Sequence, residues 1–435
     1  MMINKIEKLE NIKKVHFIGI GGIGVSAIAR MLSLEDKKIT GSDSSLSPIT
    51  EELKNMGIII YEGHDSSNVA EDVDLVVRTI AVPDENPEVV KARELNILVI
   101  SYPEMLGIVS KDKYTIAVSG THGKTTTTAM IAKILKDNDL DPTVIVGSML
   151  KEEKSNFIAG KGPYLVVEAC EYRRSFLNIH PKMIVITNID LDHLDYYKDL
   201  EDIQLAFKQF SEKLGREDYL IADVLNEKVR PVVSGTDAKL IDYSCYSEMT
   251  FDMGVFGAHN KLNAGASIAV AHALGIPPKK SAESLKNFKG TWRRQEYKGE
   301  TKEGAIIYDD YAHHPTEIKA TLDAMRKKFP IEKIVVAFQP HLYSRTKDHI
   351  REFAGAFVNA DKILLAPIYA AREKDDKTIS SEILRDEMAK HSEDVVSFNS
   401  LEELSSYAKE TLEKSEIFIT MGAGNIYEVG EELLK

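Results

Sequence analysis

The sequence predicts an α/β protein with three domains, and three observations support this. The chain has 435 residues, more than one hydrophobic core usually organises. Short apolar, β-branched runs alternate with helix-like stretches along its whole length, an order typical of parallel sheets. Strand-like runs also start afresh near residue 110 and near residue 291. We therefore predict α/β domains at residues 1–109, 110–290 and 291–435.

Composition and charge narrow the functional classes. Hydrophobic residues make up 43% of the chain and charged residues 28%, as in globular proteins. The 55 basic against 68 acidic residues give a net charge of −13, which argues against nucleic-acid or anionic-membrane partners. Residues 1–14 lack an apolar segment of signal-peptide length. Cys170 and Cys245 are too few for a disulfide framework, so we expect a cytoplasmic protein.

A glycine-rich turn follows the first predicted strand. Val15–Ile20 is apolar and β-branched, and Val25–Leu34 has helical apolar spacing. Glycines in a G-x-G-x-x-G pattern at such a turn allow a diphosphate to approach the helix N-terminus closely. NAD is the default ligand for this pattern, and a nucleotide-sugar diphosphate meets the same physical requirements. The alternative that this is a tight turn without any ligand also stays open. The candidate ligand-binding residues are Gly19, Gly21, Gly22, Gly24 and Asp43.

Further short apolar segments complete the first domain. They are separated by polar, helix-like stretches, as in a parallel sheet with crossover helices. The predicted strands are Ile39–Gly41, Ile58–Tyr61, Leu75–Val77 and Leu98–Ile100, with a helix at Pro87–Leu95.

The second domain opens with a phosphate-binding pattern. The strand Tyr114–Val118 leads into a Gly/Thr loop and then into the helix Ala129–Leu135. In such a loop Lys124 reaches the β and γ phosphates, and a threonine hydroxyl contacts Mg²⁺. Val118 stands where the usual pattern has its first glycine, so only its second half matches, and an accidental glycine turn stays open. The candidate ATP-binding residues are Gly120, Thr121, His122, Gly123, Lys124, Thr125 and Thr126.

Polar residues cluster after the next two predicted strands, Tyr164–Glu168 and Met183–Thr187. Glu168 ends the first of them, and Glu171 follows as a second possible metal ligand. Asn188, Asp190, Asp192, His193 and Asp195 follow the second strand, as a metal or nucleotide site requires, although a solvated helix start has the same composition.

A small-residue helix, Ala264–Leu274, is predicted next. Hydrogen-bonding residues precede it, and one of them, Asn260, is either a ligand contact or a simple helix N-cap. These residues are Gly257, His259, Asn260 and Asn263.

The third domain repeats the strand and helix pattern. Arg293 and Arg294 near its start are either a phosphate clamp or a surface pair. Dense polar clusters follow two successive strands, at 309–315 and 339–345. Its predicted strands are Ala305–Tyr308, Ile334–Ala337, Lys362–Ala366 and Ile417–Thr420, with helices at Pro315–Lys328 and His349–Asn359.

Six segments in this order resemble the Mur ligases of peptidoglycan precursor synthesis. The segments are HFIGIGGIG at 16–24, GTHGKTTT at 120–127, TNIDLDHLDYY at 187–197, HNKLNAGASIAV at 259–270, DDYAHHPTEIKATL at 309–322 and AFQPHLYSRT at 337–346. The resemblance covers nearly the whole chain. It implies an N-terminal Rossmann-like parallel sheet that binds the UDP moiety, a central P-loop ATPase α/β domain and a C-terminal Rossmann-like α/β domain for the amino acid.

The resemblance also implies a reaction and residue roles. ATP phosphorylates the carboxylate of UDP-N-acetylmuramate, and the amine of L-alanine then displaces phosphate, with ATP and Mg²⁺ required. Thr125, Glu168 and His193 match the metal positions, and Asn260 with Asn263 match contacts to the adenine region. The implied catalytic residues are Lys124, Glu168, His193, Arg294 and Asp310, of which Arg294 and Asp310 also engage ATP. The implied amino-acid-binding residues are Tyr311, His314, His341 and Arg345.

Two departures from the family pattern bear on the substrates. Cys170–Arg174 replaces an acidic, serine-containing run, and Leu342 stands where many members have arginine. A related ligase for another amino acid or a peptide therefore stays open. A nicotinamide-dependent oxidoreductase or a non-catalytic nucleotide sensor would each explain part of the sequence as well. We expect a monomer or a homodimer.

Overall fold

The computed structural model describes residues 9–249, 253–371, 373–375 and 377–435. The start of the predicted first domain, residues 1–8, lies outside this part. The chain divides into two compact units. The first unit comprises Met1–Asp190, Asp199–Thr250 and Asn263–Leu285, and the second comprises Leu191–Lys198, Phe251–Leu262 and Lys286–Lys435.

The first unit begins with a five-stranded parallel sheet of order β3-β2-β1-β4-β5. Its strands are β1 Lys14–Ile18, β2 Lys38–Asp43, β3 Ile59–Glu62, β4 Leu75–Arg78 and β5 Leu98–Ser101. Its helices are α1 Ile23–Leu34, α2 Pro48–Asn55, α3 Pro87–Glu94 and α4 Tyr102–Ser110, with 3-10 turns at Leu9–Asn11 and Ser66–Asn68.

A seven-stranded sheet of order β12-β11-β10-β6-β9-β7-β8 follows, in which β7 and β8 pair antiparallel and the other neighbours pair in parallel. Its strands are β6 Tyr114–Ser119, β7 Thr143–Leu150, β8 Ser155–Ile158, β9 Tyr164–Glu168, β10 Met183–Ile186, β11 Tyr219–Ala222 and β12 Lys239–Asp242. The accompanying helices are α5 Lys124–Asp137, α6 Leu200–Ser211, α7 Arg230–Val233, α8 Ala258–Ala273 and α9 Pro278–Lys286, with 3-10 helices at Tyr172–Asn178 and Ser244–Met249.

The second unit contains a six-stranded sheet of order β13-β14-β18-β15-β16-β17, in which β13 runs antiparallel to β14 and the other neighbours pair in parallel. Its strands are β13 Glu296–Glu300, β14 Ile306–Asp310, β15 Ile334–Phe338, β16 Lys362–Leu365, β17 Val395–Ser397 and β18 Ile417–Met421. Its helices are α10 Pro315–Lys328, α11 Tyr343–Asp348, α12 Ile350–Ala356, α13 Ser381–Met388, α14 Leu401–Thr411 and α15 Tyr427–Leu433.

Alternating apolar side chains give this third sheet a core on each face. Val336 and Ile419 point into one cluster with α10, α12 and α13, whereas Val335 and Phe418 point into the other with α14 and α15. Successive strand residues face opposite sides, so a continuous apolar run buries both faces. The predicted fold class, α/β with three parallel or mostly parallel sheets, is confirmed.

One expectation about a helix start was wrong. The small-residue helix α8 begins at Ala258, not at Ala264, so Asn260 and Asn263 lie inside it. The expected helix at His349–Asn359 is present as the shorter α12, and α11, which precedes it, was not predicted. Among the described residues, no helix has the length and apolar character to cross a membrane. The boundaries at 109/110 and 290/291 stay a prediction.

Candidate functional site

The loop between β6 and α5 has the backbone shape of a phosphate-binding loop. Gly120 has φ +131° and Gly123 has φ +82°, conformations that side chains rarely adopt. Both positions are also crowded, because a Cβ on Gly120 would lie 2.0 Å from Oγ1 of Thr187 and one on Gly123 would lie 2.4 Å from Oδ1 of Asn263. Glycine is therefore required at both ends of this loop.

The segment after β10 holds this loop from the side. The N–H of His122 donates to Oδ1 of Asn188 at 2.9 Å, and Nδ2 of Asn188 donates to the His122 carbonyl at 2.9 Å. The hydroxyl of Thr187 donates to the same carbonyl at 2.6 Å. The N–H of Thr121 donates to the Asn188 carbonyl at 3.1 Å. The N–H groups of Thr121 and His122 are therefore used to fix the loop, which narrows the set of N–H groups that can reach a phosphate.

Lys124 begins α5, and its ammonium group folds back onto the loop. Nζ donates to the carbonyls of Gly120 at 2.5 Å and Thr121 at 3.0 Å. It also lies 3.0 and 3.1 Å from the two carboxylate oxygens of Glu171. Burial alone would lower the pKa of Lys124, but the negative charge of Glu171 outweighs it and raises the pKa. Glu171, which the sequence analysis named as a possible metal ligand, pairs with the loop lysine in this structure.

Glu168, at the end of β9, is oriented by a backbone group. The N–H of Gly147 on β7 donates to its Oε1 at 2.8 Å, and a Cβ on Gly147 would lie 2.5 Å from its Oε2. The strands β7 and β9 are paired in parallel, which brings the two residues together. Carboxylate and hydroxyl oxygens are ligands that Mg²⁺ accepts, so Glu168 and the Thr125 hydroxyl in α5 fit a divalent cation chemically.

The first glycine-rich turn, between β1 and α1, is supported differently. The N–H of Gly21 donates to Oδ2 of Asp43 at 2.8 Å, so the carboxylate at the end of β2 holds this turn. Gly24 faces the ring of Tyr102 in α4, where a Cβ would lie 2.6 Å from Cζ and from the phenol oxygen. Gly19 has φ +78°. Tyr102 was not among the residues singled out from the sequence.

The two asparagines of α8 have different surroundings. In the second unit, Nδ2 of Asn260 donates to the carbonyl of Phe256 at 3.0 Å and to Oε1 of Gln295 at 3.3 Å. The hypothesis that Asn260 is an N-cap is wrong, because it is the third residue of the helix. In the first unit, Asn263 lies directly against Gly123 of the phosphate-binding loop.

In the second unit, Asp310 at the end of β14 is a buried carboxyl group. Its oxygens accept hydrogen bonds from the N–H of Gln295 and of Ala312, each at 2.8 Å. Burial raises its pKa to about 6, although the positive charge of Arg294 and the two backbone hydrogen bonds oppose this. The Arg294 guanidinium lies 5.1 Å from the ring centre of Tyr311 and 3.8 Å from the carboxylate of Glu317.

Arg293 is neither a phosphate clamp nor a surface residue. It is 2% exposed, and its guanidinium pairs with Asp309 at 2.7 Å. It also donates to the carbonyls of Gly422 at 2.6 Å and Gly424 at 2.8 Å. Arg293 therefore ties the start of the third predicted domain to the turn after β18, and both interpretations of it from the sequence are wrong.

The segment Leu191–Lys198 belongs to the second unit and carries His193. The neighbouring Asp192 lies 3.0 Å from the guanidinium of Arg345. Burial would raise the pKa of Asp192, but the positive charges of His193, Arg345 and other basic groups lower it well below its usual range. Two residues expected for metal and amino-acid binding, His193 and Arg345, are thus connected through Asp192.

The other residues predicted for amino-acid binding lie close to Arg345. Arg345 Nη1 is 3.2 Å from Nδ1 of His341, whose ring stacks on Tyr369 at 5.8 Å between ring centres. Tyr311 and His341 both pack against His313, at 5.3 and 5.7 Å. His314 differs, because it caps α10 through Nδ1 and its Nε2 lies 3.2 Å from the Leu191 carbonyl.

The structure explains one of the two departures from the family pattern, the one at Arg174, and describes the surroundings of the other, Leu342. Arg174 contacts Asp202 at 2.6 Å and Gln209 at 2.7 Å on α6, whereas Arg173 is exposed, and both have positive φ. Leu342 is 5% exposed with φ +72° and precedes α11. The positive charge of Arg174 is therefore balanced by an acidic residue of the same unit.

Comparison with known proteins identifies the family. Residues 14–114 match the model for "Mur ligase family, catalytic domain", residues 118–249 that for "Mur ligase middle domain" and residues 293–424 that for "Mur ligase, glutamate ligase domain".

The chain belongs to the Mur ligase family. The expectation of an ATP-dependent, amide-bond-forming ligase is confirmed. The alternative interpretation as a nicotinamide-dependent oxidoreductase is therefore rejected. It also gave no function to the loop at Gly120–Lys124.

This Mur ligase is similar to its relatives over almost its full length. It is 43% identical to UDP-N-acetylmuramate–L-alanine ligase of Clostridium acetobutylicum, covering 97% of each chain. It is 42% identical to the enzyme of the same name from Clostridium tetani, covering 98% of this chain and 99% of the relative. The solved UDP-N-acetylmuramate-alanine ligase of Thermotoga maritima superposes with a TM-score of 0.80 at 29% identity, over 97% of this chain and 98% of that one.

A murein peptide ligase from Psychrobacter arcticus also shares the fold. Its structure gives a TM-score of 0.72 at 22% identity, over 97% of this chain and 98% of that one. At this identity the likeness concerns the fold alone.

Proposed function

We propose that this Mur ligase joins L-alanine to UDP-N-acetylmuramate and releases ADP and phosphate. The observation that carries the proposal is the 43% identity to a UDP-N-acetylmuramate–L-alanine ligase over 97% of both chains. The product would enter peptidoglycan precursor synthesis, on which cell shape and division depend. We further propose that the protein acts in the cytoplasm, as a monomer or homodimer, with the domain boundaries predicted above.

The phosphate-binding loop supplies the first step. The acceptor carboxylate attacks the γ-phosphorus of ATP and ADP leaves, forming an acyl phosphate. Lys124 neutralises the charge of the transferring phosphoryl group, and loop N–H groups align it. Thr125, Glu168 and His193 are the proposed Mg²⁺ ligands, and a bound Mg²⁺ would neutralise phosphate charge. Arg294, Asp310, Asn260 and Asn263 are the remaining proposed ATP contacts.

The second step is attack by the amine of L-alanine on the acyl carbon, with phosphate as the leaving group. The residues proposed to bind the amino acid are Tyr311, His314, His341 and Arg345. Gly19, Gly21, Gly22, Gly24 and Asp43 are the proposed UDP-substrate residues. A peptide in place of L-alanine is the second candidate, favoured by the change at Leu342.

Release of ADP tests both candidates. Purified protein is mixed with Mg²⁺, ATP and UDP-N-acetylmuramate, and L-alanine, glycine, L-serine or a tripeptide is added separately. The proposal expects stimulation chiefly by L-alanine. Stimulation by the tripeptide alone would keep the ligase chemistry and reject the amino-acid assignment.

The phosphate-binding role of Lys124 has its own test. Lys124→Ala removes the cation that neutralises the transferring phosphoryl group, so we expect ligation to fall by a factor of roughly 10³ or more. The exposed Lys136→Ala, on the same helix, is the control and should keep normal turnover. Normal ADP release by Lys124→Ala, with an unchanged unfolding transition, would reject the assignment of this loop.

A further inference from the structure

The pairing of Lys124 with Glu171 concerns when the loop lysine is free to act. Glu171 is 2% exposed and follows the end of β9, whereas Lys124 begins α5 after β6. The strands β6 and β9 are direct neighbours in the sheet, so their carboxyl ends bring the two residues together. The contact is therefore set by the sheet order and not by a chance rotamer of two surface side chains.

The ammonium group of Lys124 has its hydrogen-bonding capacity filled within the protein. An ammonium carries three N–H donors. Among the described residues, four oxygens lie within 3.1 Å of Nζ: the carbonyls of Gly120 and Thr121 and both carboxylate oxygens of Glu171. To reach a phosphate, Lys124 has to give up at least one of these contacts.

We propose that Glu171 is a positioning residue that holds Lys124 against the loop backbone and thereby opposes ATP binding. The proposal rests on the proposed function, since it takes Lys124 as the residue that contacts the transferring phosphoryl group. When Lys124 turns to the phosphate, the buried carboxylate of Glu171 loses this cation, which is unfavourable. Part of the affinity for ATP is therefore spent on opening this pair.

The proposal predicts that removing the negative charge of Glu171 strengthens ATP binding, whereas removing a contact that only supports the fold would weaken it. Glu171→Gln keeps the shape and a hydrogen-bond acceptor but removes the negative charge. When ATP binds to this variant, Lys124 leaves a neutral amide, which is a weaker partner than a carboxylate. No buried negative charge then loses its cation. We expect a Kd for ATP that is roughly fivefold or more lower than that of the unchanged protein, because a pair with a buried carboxylate costs more to open than an exposed ion pair. A contact that merely supports the fold would weaken ATP binding when removed.

Binding is measured by calorimetric titration of MgATP without acceptor or amino acid, so that turnover does not enter. Glu171→Gln, Lys124→Met and the double variant form a cycle that isolates the coupling between the two residues. In the Lys124→Met background we expect the gain from Glu171→Gln to disappear. Glu171→Asp, which withdraws the carboxylate by one methylene, should give a smaller gain in the same direction.

A matched control removes another ion pair of the same unit. Glu153→Gln breaks the exposed pair with Lys136, whose atoms are 2.8 Å apart, and should leave the Kd for ATP unchanged. Unchanged or weaker binding in Glu171→Gln and Glu171→Asp would overturn the proposal. An equal gain with and without Lys124 would also overturn it, because the carboxylate would then repel the nucleotide directly. Failure of the unchanged protein to bind ATP would instead reject the proposed function.

Discussion

Two glycine-rich turns of the first unit share a sequence pattern but are held in different ways. The turn at Gly120–Lys124 is fixed by Asn188 and Thr187, which hydrogen-bond to the backbone of His122 on both its N–H and its carbonyl side. The turn at Gly19–Gly24 is held at its start by the backbone of β2, because the N–H groups of Gly19 and Ile20 donate to the Ser42 carbonyl at 2.8 and 3.0 Å. Further along, it is held by the carboxylate of Asp43 and by packing against the ring of Tyr102.

The two turns differ most at the end where the helix begins. Before α5, Asn188 and Thr187 hold the backbone of His122, as preorganised phosphate binding requires. Before α1, the three atoms nearest to a Cβ added at Gly24 all belong to the end of the Tyr102 side chain, so we expect this turn to be more adjustable there. We expect the four substitutions below to separate the two turns, in order of decreasing effect on the free energy of unfolding.

Gly120→Ala should have the largest effect. The new Cβ would lie 2.0 Å from Oγ1 of Thr187 and 3.0 Å from backbone atoms, in a backbone conformation with φ +131°. We expect a loss of about 2–5 kcal/mol in the free energy of unfolding, measured by denaturant titration, and no ATP binding. Gly235→Ala, with φ +80° but open space around it, is the control and should lose only about 1–2 kcal/mol. Equal losses would show that crowding at Gly120 is unimportant.

Asn188→Ala should come next, because it removes both hydrogen bonds to His122. We expect a loss of about 1–3 kcal/mol in unfolding free energy and a raised KM for ATP. Asn188→Asp keeps an acceptor for the His122 N–H but loses the donor to the His122 carbonyl. Its KM for ATP should therefore lie between that of the unchanged protein and that of Asn188→Ala. If Asn188→Ala binds ATP normally, the loop does not depend on this support.

Gly24→Ala tests the adjustable turn. The added methyl group displaces the Tyr102 ring, but the ring end can move and alanine favours the helix, so the net loss should be about 1 kcal/mol or less. The KM for UDP-N-acetylmuramate should rise while the KM for ATP does not. Gly355→Ala, inside α12 with no described atom within 4 Å of the added Cβ, is the stability control. A loss as large as that of Gly120→Ala would show that this turn is equally rigid.

Asp43→Asn should have the smallest effect. An amide oxygen can still accept the hydrogen bond from the Gly21 N–H, so we expect the free energy of unfolding, measured in thermal unfolding experiments, to fall by about 0.5 kcal/mol or less. Because the acceptor for the Gly21 N–H is kept and the contacts of Ser44 and Ser45 with Oδ1 are long, at 3.4 Å, a total loss of folding would reject the view that this turn is adjustable.

The fold class was predictable because strong local patterns agree with it. The buried strands β6, β10 and β15 are short, β-branched runs that no helix of this composition would explain. Weakly patterned strands such as β12 and β13, with exposed and charged residues, escaped prediction because their pairing depends on distant neighbours. The start of α8 was missed because its first turn contains His259 and Asn260, which favour helix ends.

The candidate site was predictable only where a residue of informative type lies at or just after the end of a predicted strand. Lys124 and Glu168 stand at such positions, and their residue types suggested phosphate and metal chemistry. The partners that orient them were not predictable: Gly147 holds Glu168, and Glu171 holds Lys124, through the order of strands in the sheet. Arg293 was misjudged because nothing local indicates that Gly422 and Gly424 surround it.

The position of β18 also bears on how the protein is made. This strand pairs with both β14 and β15, so it occupies the middle of the third sheet although it is the last of the six to leave the ribosome. Until it is synthesised, β14 and β15 have no common neighbour, and Arg293 lacks the carbonyl groups of Gly422 and Gly424. In the sheets of the first unit, the central strand is not the last to be synthesised. These sheets can therefore fold during translation, before the central strand of the second unit has been made.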